Sequence, residues 1–142
     1  MTPPPARGGR VRRRRMPGQG RLLGAAALVV VGALLPWVYS PAGPVTGMRG
    51  PGLWTFYAAM LALAGGLTPP RWRVLAAVQG AVVGLVAIGL PVWQVVHLLQ
   101  LVGTQGWAPG PGLVMTFAGG VLSLVAGWQL WNLRGGEAPA TT

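Results

Sequence analysis

The chain has 142 residues and a formal net charge of +10, from 11 Lys+Arg against one Asp+Glu, with 52% hydrophobic and 8% charged residues. Cysteine is absent, which excludes disulfides, thiolate metal sites and thiol nucleophiles. One glutamate and one histidine also leave too few groups for carboxylate-based acid–base chemistry or for the membrane-embedded acids of proton-coupled pumps.

The first segment, 1–20, combines Pro3-Pro4-Pro5, Gly8-Gly9 and the run Arg12, Arg13, Arg14 and Arg15, a composition that builds no hydrophobic core. It reads as a disordered cytoplasmic tail. Its arginines are suited to anionic lipid headgroups or an acidic partner, each contributing about 1 kcal/mol near a membrane surface. Aromatic residues do not interleave the basic run, so no specific nucleic acid is expected.

Four apolar stretches follow, at about 22–39, 52–67, 74–102 and 113–133. Segments near 20 residues match a hydrocarbon core of about 30 Å, where lipid forces the backbone to satisfy its own hydrogen bonds as helix. The fold class expected is an all-α membrane protein: a four-transmembrane-helix up-down bundle of two tandem helical hairpins. The membrane domain spans 21–134, and a short C-terminal tail spans 135–142.

Ahead of the first span, the arginines followed by an apolar run and Ser40-Pro41-Ala42 resemble a signal peptide. Proline between the two small residues makes a poor cleavage site, and span one is read as retained. Arg71 and Arg73 lie between spans two and three, and Arg134 follows span four. With both termini inside, all the arginines except Arg49 fall on the cytoplasmic side, as expected of a plasma-membrane protein. Trp37, Tyr39, Trp54, Phe56, Tyr57 and Trp93 would then mark the outer interface, and Trp72, Trp128 and Trp131 the inner one.

Span two begins at Gly50-Pro51-Gly52-Leu53, which recurs as Gly110-Pro111-Gly112-Leu113 before span four. Leu35-Pro36-Trp37 is likewise answered by Leu90-Pro91-Val92-Trp93, so the chain reads as an internal duplication with both copies in one orientation. Pro51 and Pro111 suit helix starts, where proline's missing N–H has no partner to lose. Within the repeats, Ala58, Ala62 and Gly66 form one small-residue stripe and Gly119, Ser123 and Gly127 form another. Gly80 and Gly84 add a third site in span three. In lipid, close backbone approach at such residues holds helices together.

Span three is longer than a bilayer requires, and a kink is expected at Pro91. Beyond it Gln94, His97 and Gln100 recur every three residues, giving a polar patch on an outer helical extension. His97 has no Cys, Asp or Glu near it in sequence, so no metal, cofactor-binding or catalytic residue is assigned, and no cofactor is expected.

Leu35-Pro36-Trp37, a short outer loop and the Gly-x-Gly-Leu starts of spans two and four resemble small four-span proteins of bacterial inner membranes, a group with no agreed activity. Leu-Pro-Trp and Gly52-Leu53-Trp54 are also similar to the claudin-like fold. The long outer sheet and cysteines of that fold are missing from the sequence, and the comparison is set aside. The expected role is non-catalytic, structural or interaction-based, such as an accessory subunit bound to a membrane protein partner or to further copies of itself. The alternative is a small oligomeric channel or transporter.

Overall fold

Apolar periodicity is weak along these helices because both their exposed and buried faces are hydrophobic, the buried faces being richer in small residues. In the computed structural model, which describes residues 18–132, the chain is mostly helical. Among the described residues it forms four α-helices: α1 (Gln19–Leu34), α2 (Gly52–Leu67), α3 (Arg73–Val102) and α4 (Pro111–Asn132). Two segments, Pro70–Val102 and Pro111–Asn132, are long and apolar enough to cross a membrane, whereas α1 and α2 have 16 residues each. Arg12, Arg13, Arg14 and Arg15, read from sequence as a headgroup or partner contact, lie outside the described residues, as do Arg134 and Glu137.

The first apolar stretch is not one helix to residue 39. Pro36 disfavours the helical conformation for the residue before it, and Leu35 is extended at φ −77° and ψ 162°. The chain continues as strand β1 (Pro36–Ser40), turns, and returns as β2 (Gly43–Thr46). Gly43 has φ 114°, a conformation that costs a side-chain-bearing residue strain. The Ser40 hydroxyl donates to the Gly43 carbonyl across the turn at 3.0 Å. A third strand, β3 (Ala108–Pro109), pairs antiparallel on the other edge of β1, giving the order β2-β1-β3. The all-α expectation is corrected by this small sheet.

Helix boundaries elsewhere follow proline. Pro51 is the residue before α2, and Pro111 is the first residue of α4. The 3-10 turn Pro70–Trp72 leads into α3, which runs without interruption through the buried Pro91.

Helix α1 packs on α2 and α4, and α3 also packs on α2 and α4, so the four form a closed ring. Pairing of β1 with β3 brings the α1–α2 and α3–α4 connections to one end, hereafter the sheet end. The other end carries the α2–α3 turn with Arg71 and Arg73. There the Gln19 side-chain amide donates to the Thr68 carbonyl at 2.8 Å, fastening the start of α1 to the end of α2. The bundle is therefore up-down-up-down. Its core contains Leu22 and Ala26 of α1, Ala58 and Ala62 of α2, Ala76, Ala77 and Val83 of α3, and Ala126 and Leu130 of α4.

Candidate functional site

The small residues read from sequence all lie at helix contacts, but not as uniform stripes. Gly119 faces α1, where a Cβ would stand 3.1 Å from the Ala25 carbonyl oxygen and against Val29. One turn later Ser123 faces α3, and its buried hydroxyl donates to the Gly80 carbonyl at 3.0 Å. Gly127 also faces α3, with the Ala77 carbonyl oxygen 3.0 Å from where its Cβ would be. The space beside Gly80 is taken by the Gly127 backbone, and that beside Gly84 by Leu124 and the Gly120 carbonyl. Four residues per 3.6-residue turn drift slowly around a helix, so one stripe reaches two neighbours in succession. On α2, Ala58 and Ala62 are buried in the core, and Gly66 lies against Leu23 of α1.

Sequence reasoning missed the junction between bundle and sheet. Trp37 was expected at an interface, yet it is 2% exposed, and its indole N–H donates to the Gly32 carbonyl at 2.9 Å. Gly47 and Gly112 leave room for its ring, and Gly32 in turn lets α4 approach, its absent side chain giving way to Thr116. Two backbone bonds complete the junction: Gly47 N–H to the Leu35 carbonyl at 3.3 Å, and Gly110 N–H to the Trp37 carbonyl at 2.7 Å. The signal in sequence was an aromatic residue preceded by Pro36, with Gly47, Gly110 and Gly112 in or beside the later connections that pack on it.

Polar groups inside the bundle are mostly engaged. Thr55 donates to the Gly52 carbonyl at 2.7 Å, and Thr116 to the Gly112 carbonyl at 2.8 Å, so both hydroxyls are satisfied within their own helices. Gln79 is the exception, its buried Oε1 facing Gly65 with no hydrogen-bond donor among the described residues.

Gln94 and His97 are half-buried and Gln100 is exposed, all near the sheet end of α3. The His97 ring stacks on Trp93, with centroids 5.1 Å apart and planes 8° from parallel. Trp93 also borders a recess of about 530 Å³ between α2 and α3, lined by Gly50, Pro51, Trp54 and Leu90. Seventeen residues of α3 separate His97 from Gly80, to which Ser123 is bonded, or about 25 Å of helix. Ser123 and His97 therefore do not form a nucleophile–base pair.

A larger recess, of about 640 Å³, opens between α3 and α4 toward the arginine end. Ala77, Ala81 and Gly127 form its floor, and Val82, Val125 and Trp128 its sides. Apart from the indole N–H groups of Trp128 and Trp131 its lining side chains are apolar, so it is suited to hydrocarbon rather than to a reacting substrate. No family model matches the chain, and no curated protein matches it.

Proposed function

We propose that the chain is a four-span membrane protein with both termini cytoplasmic, serving a non-catalytic structural or interaction role as an accessory component of a membrane assembly. The observation that carries this reading is the distribution of residue size. The bundle interior is built mostly from Ala, Gly, Ser and Thr, with Leu22, Val29, Val83 and Leu130 the larger buried aliphatics, while Leu67, Leu85, Val114, Trp54 and Trp128 are each 60% or more exposed. Water-soluble domains bury their large apolar side chains and expose few in contiguous patches. Lipid removes that pressure and leaves close packing of small residues as the attraction between helices.

The two short helices fit the same reading. At 1.5 Å per residue, α1 and α2 each give about 24 Å, and β1 with its pairing continues α1 toward the sheet end. Exposed tryptophans fall near both ends, Trp54 and Trp93 at one, Trp72, Trp128 and Trp131 at the other. At the starts of the two proposed repeats, Thr55 bonds to the Gly52 carbonyl three residues back and Thr116 to the Gly112 carbonyl four residues back, a similar but not identical arrangement.

Affinity capture of the tagged full chain from native membranes tests the role. The proposal expects it to bring down a stoichiometric membrane protein partner. Recovery of the chain alone, together with ion conductance in reconstituted vesicles, would overturn it in favour of a channel.

A further inference from the structure

The recess between α3 and α4 has largely hydrocarbon walls, Arg73 lies one helical turn beyond its lining residue Ala77, and its dimensions restrict what fills it. Helix α4 runs antiparallel to α3, and Gly127 meets Ala77. One turn further along α4 lies Trp131, and one turn back along α3 lies Arg73, so the two stand at the same level. Arg73 is on the face of α3 that carries Ala77, just beyond the arginine-end mouth of the recess. The only carboxylate side chain of the sequence is Glu137, so no acidic side chain among residues 18–132 is present to neutralise Arg71 or Arg73.

Along α4 the recess runs from Leu124 to Trp131, about 10 Å of helix. That is two turns, against about 30 Å for a helix crossing alongside over the whole membrane. A second copy seated there about a two-fold axis would also bring the arginines of both copies to one level. The occupant is therefore slender, apolar along its length and negatively charged at the arginine end.

We propose that this recess holds an acyl chain of an anionic phospholipid, with the lipid phosphate meeting Arg73. The inference rests on the membrane reading above and deepens it by assigning a ligand to one face of the bundle. Val82 and Val125, each more than 40% exposed, flank the chain, and Trp128 and Trp131 lie at headgroup level. Arg73 supplies the preference for an anionic headgroup.

The test uses the full chain reconstituted into vesicles of phosphatidylcholine and phosphatidylglycerol, extracted in mild detergent and weighed with its bound lipid by native mass spectrometry. Retention of one phosphatidylglycerol per chain is expected. Ala81→Trp, a substitution at an exposed position on the floor, should abolish retention while leaving the helical content unchanged. Arg73→Gln should keep a lipid but lower the preference for phosphatidylglycerol over phosphatidylcholine about fivefold. Equal retention by the parent chain and Ala81→Trp, in protein that floats with the vesicles, would overturn the site and leave the membrane reading standing. A dimer broken by Ala81→Trp would overturn it in favour of a second copy. Protein that fails to float with vesicles would overturn both.

Discussion

Ser123 ties α4 to α3 through one hydroxyl, in a place where a larger side chain has no room. Ser123→Ala removes the bond to Gly80 and should cost about 0.6 kcal/mol, the mean for interhelical hydrogen bonds in a membrane protein. Ser123→Leu and Gly127→Leu should each lower the melting temperature far more, since the backbones must separate. Equal melting temperatures for all three variants and the parent, in detergent and in lipid, would contradict this contact. Trp37→Phe keeps a ring in the junction but loses the indole N–H, and should cost about 1 kcal/mol, read by chemical denaturation. His97→Gln removes the stack on Trp93 and should leave helical content and metal content unchanged. A stoichiometric metal or haem lost on that substitution would show that His97 serves a shared site between copies.

At the scale of elements, the helices were legible because an apolar run bounded by Pro and Gly has few alternatives, and α2, α3 and α4 begin close to where proline and glycine place them. Strand β1 was not, because Trp37-Val38-Tyr39 continues the hydropathy of α1, and its partner β3 lies about seventy residues away. A two-residue strand leaves no periodic trace. Some close approaches were readable, at Gly80, Gly84, Gly119, Ser123 and Gly127, but glycine alone does not mark them, since Gly20 and Gly89 face open space and Gly32 and Gly112 were not singled out as contacts. Which neighbour each one meets was not readable, as Gly119 and Ser123 show by facing different helices. If the sheet is as firmly built as its bonds indicate, the Gly110 amide should exchange with deuterium much more slowly than the amides of Thr104 and Gln105 in the preceding turn. Comparable rates would mean that β3 does not hold the sheet end closed.

For the whole molecule, one arrangement accounts for the closed ring of helices, the small-residue interior, the outward tryptophans and the arginines gathered at the end opposite the sheet. Among the described residues, Arg49 is the one arginine near the sheet end, while Arg21, Arg71 and Arg73 share the other. The proposed threading rests on that asymmetry, because arginine-rich flanks are retained in the cytoplasm. The most direct measurement is a set of fusions to a reporter enzyme that is active only outside the cytoplasm, placed in the β1–β2 turn, in the turn at Thr68, at Thr104 and after Arg134. The account predicts activity at the β1–β2 turn and Thr104, and none at Thr68 or after Arg134. Activity after Arg134, or silence at the β1–β2 turn, would contradict the four-span arrangement.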